Sequence, residues 1–281
     1  MVKTRTSKKR TSKKRTNKKA DSQEHVYGKN VRCATDSKGH ERHRNMSPAE
    51  IRVHESDGFI PLWAEDVTLR YRFNEWSFRK KYGNEAEEQK AVVQKLFDDG
   101  LSLWGDAVPI KFAYNTEASD FEIFIVQEPD CDSSGCVLAS AFFPDGGRHR
   151  FNIYPTNFEQ SREEQVETFA HEQGHIFGLR HFFANISETD FPSHLFGEDS
   201  KFSIMNYGRN SFMTDNDRVD LKNLYAAAWS GELTEIDGAP IQLMYPYSSV
   251  ASSGQTQKLA ARAAKRHPVQ IAIGGRKVTV E

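Results

Sequence analysis

The sequence has few cysteines, with only Cys33, Cys131 and Cys136 among 281 residues. Three cysteines cannot form the disulfide framework that holds small secreted domains together, which excludes that class of protein. Cys131 and Cys136 could close one short loop if they are oxidised. The redox state of the cysteines, and with it the compartment, stays open at this stage.

Long apolar runs are also absent from the sequence. No stretch approaches the roughly 18 apolar residues that cross a bilayer, so we predict no membrane partner. The first twenty residues lack the apolar core of a secretory signal, and on the sequence alone we expect an intracellular protein. The hydrophobic content of 37% is sufficient for one sizeable core, and we expect a monomer.

Acidic residues are missing from the first twenty positions, which carry ten Lys or Arg. The rest of the chain holds 28 basic and 39 acidic residues, so a basic tail precedes an acidic body. The tail has almost no apolar side chains to bury, which predicts disorder. It could bind nucleic acid, direct nuclear import, lie against the acidic body or simply be solvated. No aromatic residues are interleaved with the charges, so sequence-specific recognition is not predicted.

Apolar periodicity places the folded part of the chain at about residues 61–229. Strands are predicted at 67–73, 109–112, 121–126, 137–143 and 151–154. Helices are predicted at 86–104, after the capping box that begins at Ser161, and after Thr214 or Asp215. Residues 1–60 are predicted to be a disordered basic tail and a polar linker, and residues 230–281 a partly disordered C-terminal extension.

Residues 171–181 read His-Glu-Gln-Gly-His-Ile-Phe-Gly-Leu-Arg-His and match the pattern H-E-x-x-H-x-x-G-x-x-H at every fixed position. His171 and His175 are one helical turn apart, so both imidazoles can reach one metal ion. Gly178 can adopt the left-handed conformation that ends a helix, which would bring His181 to the same ion. Three imidazole ligands leave a coordination position free, as in catalytic zinc sites.

Glu172 follows the first of these ligands and is predicted to be the general base. It would accept the proton of a zinc-activated water and deliver it to the leaving amine, while zinc polarises the scissile carbonyl. The predicted reaction is hydrolysis of peptide bonds in extended polypeptides, with one catalytic zinc ion. An ordinary helix with packed histidines is the first alternative, but such a match arises by chance with a probability on the order of 10⁻⁴. A zinc site without catalysis is the second, and it has no use for Glu172.

These motifs resemble the metzincin clan of zinc proteases, and within it the matrixins and their astacin-like relatives, over about residues 63–229. The resemblance implies an α+β metzincin-like fold. In that fold a twisted, five-stranded, mostly parallel sheet with one antiparallel edge strand packs on helices, and a small C-terminal lobe follows the third zinc ligand. It also implies that residues 61–229 are a metallopeptidase catalytic domain. The family is usually secreted, in contrast to the expectation from the first twenty residues.

The segment Ser203-Ile-Met-Asn-Tyr-Gly208 resembles the methionine-containing turn that lies beneath the metal in this clan. The resemblance makes Met205 the floor of the zinc site. It also matches Tyr207 to a tyrosine that binds zinc in astacins and serralysins and swings away to stabilise the transition state. The segment Leu243-Met-Tyr-Pro-Tyr247 is a rival for this turn, but the helix expected to follow the turn fits 217–225 and so favours Met205.

Two further segments are similar to matrixin features. Leu138-Ala-Ser-Ala-Phe-Phe-Pro144 resembles the edge strand that pairs with the main chain of an extended substrate. Ser140 stands where matrixins have a structural-zinc histidine, which argues against a second zinc and against calcium sites. Around Cys33, only Arg-Cys matches the propeptide switch, in which a cysteine thiolate fills the open zinc position. A solvent-exposed Cys33 without a role is therefore favoured over a latency switch.

Two other functions remain as alternatives to the peptidase. The first is a catalytically inactive scaffold that binds zinc. The second is a nucleic-acid-associated protein directed by the basic tail.

Overall fold

The computed structural model describes residues 31–33, 35, 51–132, 135–181, 193–196, 203–206, 211–252, 270–273 and 276–279. Its strands are β1 Val31–Arg32, β2 Ile51–His54, β3 Ile60–Trp63, β4 Thr68–Phe73, β5 Lys111–Tyr114, β6 Phe121–Ile125, β7 Cys131–Asp132, β8 Gly135–Val137, β9 Ala139–Ser140, β10 His149–Ile153, β11 Leu179–Arg180, β12 Ser193–Phe196, β13 Glu235–Ile236, β14 Ala239–Met244, β15 Gln270–Ile273 and β16 Arg276–Thr279. Its helices are α1 Glu75–Tyr82, α2 Ala86–Trp104, α3 Arg162–Ile176, α4 Asp215–Ser230 and α5 Tyr247–Ser252. Within these ranges, no helix has the length and hydrophobicity of a membrane span.

A five-stranded sheet lies at the centre of the fold, in the order β5-β4-β6-β10-β9. Four of its strands are parallel, and β9 at the edge is antiparallel to β10. The prediction of an α+β fold with a mostly parallel sheet and one antiparallel edge strand is confirmed. In β4, the alternate residues Leu69, Tyr71 and Phe73 are buried, as a strand with one face on the core requires.

Helices α2 and α3 pack against each other and both contact the sheet, where Phe97 and Phe169 lie against Phe151, and this contact helps to position the helix that carries the His171 motif. Gly100 lies at the crossing, where an added Cβ would come within 3.0 Å of the backbone nitrogen of Ala170. Two side chains then join the helices: Gln173 donates to the carbonyl of Phe97 (2.8 Å), and Trp104 donates to the carbonyl of Ala170 (2.9 Å). A small residue at the crossing therefore lets the two backbones approach closely.

The ends of α3 and α4 follow from their capping residues. Ser161 and Glu164 form a capping box at the start of α3, and Thr214 and Asp217 form another at the start of α4. After α3 the chain reaches Gly178, whose φ of +90° is unfavourable for other residues. A Cβ at Gly178 would also lie 3.3 Å from the carbonyl oxygen of Pro61. The chain therefore turns at this position directly into β11.

Structured segments lie on both sides of the predicted domain limits. Strand β2 pairs with β11 and β12, and β3 pairs in parallel with β14. At the start of α5, the buried Asp120 accepts hydrogen bonds from the backbone nitrogen (2.6 Å) and the hydroxyl (2.9 Å) of Ser248. The division at residues 60 and 229 stays a prediction. The basic tail lies outside the described residues.

Candidate metal centre and active site

Three imidazoles meet at the C-terminal half of α3. His171 and His175 project from the helix, and β11 leads from Gly178 to His181. The Nε2 atom of His181 lies 3.1 Å from Nε2 of His171 and 3.2 Å from Nε2 of His175. All three rings are buried, with at most 4% of any residue exposed. The helix and the turn after it thus bring the three predicted metal ligands to one point.

The other ring nitrogens show which tautomers are present. Nδ1 of His171 lies 2.7 Å from the carbonyl oxygen of Ile204, and Nδ1 of His175 lies 2.8 Å from that of Leu179. A carbonyl oxygen only accepts, so in both rings Nδ1 carries the hydrogen and Nε2 presents a lone pair. The lone pairs on Nε2 of His171 and His175 thus face His181, in the arrangement that a metal ion bound by the three rings would use.

Zinc fits this arrangement of nitrogen atoms. Tetrahedral zinc with Zn–N bonds of 2.0–2.1 Å holds two nitrogen ligands about 3.3 Å apart. The observed separations of 3.1 and 3.2 Å are close to that value. The carbonyl partners of His171 and His175 also orient the rings in the way that outer hydrogen bonds orient metal ligands.

Cys33 is the fourth potential ligand at this point. Its Sγ lies 3.4 Å from Nε2 of His175, and the ligand atoms of Cys33 and the three histidines all lie within 4.8 Å of one another. Sulfur and nitrogen on one tetrahedral zinc are about 3.5 Å apart. The expectation of a solvent-exposed Cys33 is wrong, because only 9% of the residue is exposed. Cys33 directly follows β1, and the pairing of β1 with β8 holds it next to the three histidines.

Burial, and after it the charge of Glu172, raises the pKa of the Cys33 thiol to about 12. A divalent cation among the imidazoles acts in the opposite direction, because a coordinating thiol is deprotonated.

Glu172 lies beside the histidines and is almost fully buried, with 1% exposed. Its Oε2 accepts a hydrogen bond of 2.6 Å from the hydroxyl of Thr35. The same hydroxyl accepts a hydrogen bond of 2.7 Å from the backbone nitrogen of Ala141, which follows the edge strand β9. Sequence reasoning missed Thr35, because no local pattern indicates that it meets Glu172.

Met205 is buried next to α3, with 2% exposed. A Cβ added at Gly174 would overlap its Sδ atom and would lie 3.2 Å from Cζ2 of Trp104. Gly174 occupies a variable position of the sequence motif and was not among the predicted site residues. The structure gives it a reason, since only glycine leaves space for Met205 at this point of the helix. Tyr207 lies outside the described residues.

The family model described as Matrixin matches residues 63–189 of this chain. We refer to these matched residues as the matrixin-like domain. The family resemblance noted in the sequence is thereby confirmed. Among solved structures, one titled "Structure of myroilysin" is similar at 15% identity and a TM-score of 0.40, over 62% of this chain and 98% of that one. A comparison with curated proteins finds no match.

The matrixin-like domain contains the three histidines and Glu172, whereas Met205 follows it and Cys33 precedes it. The segment with Met205 is tied to α4 by Asp217. One carboxylate oxygen of Asp217 accepts from the hydroxyl of Ser203 (2.6 Å), and the other accepts from the backbone nitrogen of Ile204 (3.3 Å). Because the carbonyl oxygen of Ile204 lies 2.7 Å from Nδ1 of His171, Asp217 supports this predicted metal ligand through one intermediate residue.

Phe143 forms one wall of the site in the matrixin-like domain. Its ring lies edge-on to His175, with centroids 5.5 Å apart. On its other side it stacks on His54, with centroids 3.8 Å apart and the planes within 9° of parallel. Since His54 belongs to β2, a residue that precedes the matrixin-like domain also contributes to the surroundings of His175.

Proposed function

We propose that the protein is a zinc-dependent endopeptidase, in which His171, His175 and His181 hold the metal and Glu172 is the general base. The observation that supports this most directly is the convergence of three Nε2 atoms at 3.1–3.2 Å beside a buried carboxylate. The match of residues 63–189 to the matrixins supports the same assignment.

Glu172 handles the proton in this proposal. A bound zinc ion supplies Lewis acidity, which acidifies a water molecule and polarises a carbonyl group. Glu172 takes the proton from the attacking water and returns it to the leaving amine. Its burial suits both steps, because a carboxylate that is shielded from bulk water interacts more strongly with the groups that exchange protons with it. We assign Tyr207 to transition-state stabilisation, on the family resemblance alone.

The substrate in this proposal is an extended polypeptide that adds to the sheet at β9. This strand is the antiparallel edge of the central sheet, and an edge offers unpaired main-chain groups to a further strand. The backbone nitrogen of Ala141 illustrates the point, because it already donates to a residue from outside the sheet.

Cys33 gives this enzyme a latent state in our proposal. Its Sγ stands at the corner of the site that a substrate or water needs, 3.4 Å from Nε2 of His175. A thiolate there completes a closed Cys-His₃ set, which is typical of zinc sites without turnover. Removal of the Cys33 thiol is therefore the change that opens the fourth position.

The test uses the full chain loaded with zinc and an unstructured fluorogenic peptide. C33S is expected to cleave the peptide faster than the wild type, to stop when a chelator is added, and to recover with zinc. C33S/E172Q is the matched control, because it keeps the three histidines; it should bind zinc and lose about 100-fold or more of the activity. If C33S and C33S/T35V, in which the hydroxyl that contacts Glu172 is also removed, both bind one zinc and cleave nothing, the protein is an inactive zinc-binding scaffold.

Nucleic-acid binding by the basic tail stays a prediction, because residues 1–20 lie outside the described residues. A chain that lacks residues 1–20 is the comparison. If the tail binds, the full chain should shift duplex DNA with a steep dependence on salt, and the truncated chain should not.

A further inference from the structure

Thr35 makes hydrogen bonds to Glu172, Ala141 and Cys33, and the first two involve groups that the proposed reaction uses. Its hydroxyl donates to Oε2 of Glu172 (2.6 Å) and accepts from the backbone nitrogen of Ala141 (2.7 Å). Its own backbone nitrogen donates to Sγ of Cys33 (3.3 Å). A residue outside the matrixin-like domain therefore contacts the base, the edge strand and the potential metal ligand at once.

The contacts to Glu172 and Ala141 each use a group that the proposed reaction needs free. A hydroxyl has one hydrogen to donate, and here it points at the carboxylate that would otherwise accept the hydrogen of an attacking water. The backbone nitrogen of Ala141 would otherwise donate to the carbonyl of an added substrate strand. The hydroxyl of Thr35 thus takes the place of the attacking water at Glu172 and of a substrate carbonyl at the backbone nitrogen of Ala141.

Val31, Arg32, Cys33 and Thr35 belong to one N-terminal segment, which is held in place by main-chain pairing. Strand β1 runs parallel to β8, with Val31 opposite Cys136 and Arg32 opposite Val137. Thr35 comes three residues after the end of this pairing, and Cys33 lies between them. The pairing therefore delivers Cys33 and Thr35 to the cleft as one unit, with alternate side chains directed at the metal site and at the base.

We propose that Thr35, in addition to Cys33, holds the N-terminal segment over the site: Thr35 blocks the general base and the edge strand, and Cys33 blocks the metal position. We call this contact of Thr35 the latch. The inference rests on the proposed peptidase function for its role in latency. The contact itself does not depend on that function. A hydrogen bond between a neutral hydroxyl and a buried carboxylate is among the stronger side-chain contacts, so its loss should release the segment about 10- to 100-fold more often.

Alkylation of Cys33 reports this release without reference to activity. Cys131 and Cys136 are joined in a disulfide, so Cys33 is the free thiol and intact mass counts its modification. The zinc-loaded full chain is treated with iodoacetamide, and the measurement is repeated after chelation. T35V, which keeps the shape of the side chain but not the hydroxyl, is expected to react about 10- to 100-fold faster than the wild type. T35S restores the hydroxyl and should return the rate to within a few-fold of the wild type.

The partner residue provides a second test. E172A removes the acceptor together with the negative charge beside the Cys33 thiol, so the comparison that decides is the double variant: T35V/E172A should react no faster than E172A. The proposal is overturned if T35V reacts at the wild-type rate, or if T35S reacts as fast as T35V, since the methyl group would then be what matters. Zinc content and melting temperature of each variant show that the fold is intact.

Peptide cleavage separates this inference from the proposed function. If both hold, T35V cleaves the peptide faster than the wild type, and T35S does not. If T35V accelerates alkylation while C33S/T35V, which lacks both contacts, binds zinc and cleaves nothing, the latch stands and the peptidase assignment fails. If C33S cleaves the peptide while T35V leaves alkylation unchanged, the peptidase assignment stands and the latch is wrong.

Discussion

The carbonyl oxygen of Ile204 lies 2.7 Å from Nδ1 of His171 and so decides which nitrogen of that ring faces the metal site. Ile204 is in turn held by Asp217, a buried residue of α4 with 2% exposed. The carboxylate also accepts hydrogen bonds from the backbone nitrogen (2.8 Å) and the hydroxyl (2.7 Å) of Thr214. Helix α4 thereby helps to set the orientation of the His171 ring on α3.

Replacement of Asp217 by Asn should weaken both folding and metal binding. The amide places a donor against groups that all donate, so at least one buried hydrogen bond is lost, at a cost of about 1–3 kcal/mol of unfolding free energy. Zinc affinity should fall about 10- to 100-fold, because the support of His171 is disturbed. Chemical denaturation and competition with a chromogenic chelator measure the two effects. D215N, at a highly exposed carboxylate of the same helical turn, is the control. Equal zinc affinity in D217N and D215N would contradict the role of Asp217.

Gly174 should not tolerate a side chain as small as that of alanine. Alanine is better than glycine in a helix by about 1 kcal/mol, so propensity alone predicts stabilisation. The added Cβ would overlap Sδ of Met205, and overpacking of a core costs about 1–3 kcal/mol. We therefore expect G174A to be no more stable than the wild type, with a displaced Met205. Thermal denaturation of G174A, M205A and G174A/M205A provides the check, because M205A makes room for the methyl group. Strictly additive effects would show that the two residues do not compete for space.

The disulfide between Cys131 and Cys136 should help to keep β1, and with it Cys33, at the three histidines. It joins β7 to β8, and β8 is the strand with which β1 pairs. Without the covalent link the hairpin has fewer constraints, so β1 should detach more often. C131S/C136S is expected to react faster at Cys33 with iodoacetamide than the wild type. Unchanged alkylation kinetics, in a variant that still binds one zinc, would mean that the hairpin holds its shape without the bond.

Acid should weaken the contact between β4 and β6. Burial raises the pKa of Glu122, but the hydrogen bonds from Asn74 and Arg72 outweigh this and leave the pKa below its usual value. An acid whose pKa is lowered by folding stabilises the fold above its unfolded pKa of about 4.3 and loses this effect as the pH falls through the folded value. E122Q should therefore show a smaller drop in melting temperature between pH 6 and pH 3. E88Q, at an exposed position of α2, controls for the loss of a carboxylate. Parallel pH profiles for E122Q and the wild type would exclude this contribution.

Local patterns in the sequence predicted a large part of the fold. The helix predicted at 86–104 has the same limits in the structure, because its apolar spacing is regular and Gly105 follows it. The capping boxes at Ser161 and Thr214 mark the starts of α3 and α4. Helix α1 was missed, since Glu75–Tyr82 shows no clear apolar face; the side chain of Asn74, which accepts from the backbone nitrogen of Ser77, was the available signal.

Contacts between distant segments could not be predicted from the same patterns. Strand β2 reads Ile-Arg-Val-His and was taken as part of a polar linker because of its two basic side chains, yet it pairs with β11 and β12. Cys33 was expected to be exposed for the same reason: its burial depends on the pairing of β1 with β8, about a hundred residues away. The motif at 171–181 is local and specifies its own geometry, whereas Thr35 and Asp217 act through partners that only the folded chain brings together.

The position of β2 limits how the N-terminal segment can be removed. This strand pairs with Leu179 and Arg180, immediately before the third histidine, and the backbone nitrogen of His54 donates to the carbonyl of Gly178 (2.8 Å). In the proposed peptidase, a proteolytic cut that removes Cys33 and Thr35 from the site must therefore fall between Thr35 and Ile51 and leave the residues from Ile51 onward attached. A cut further along would also remove the strand that positions His181, the third proposed zinc ligand.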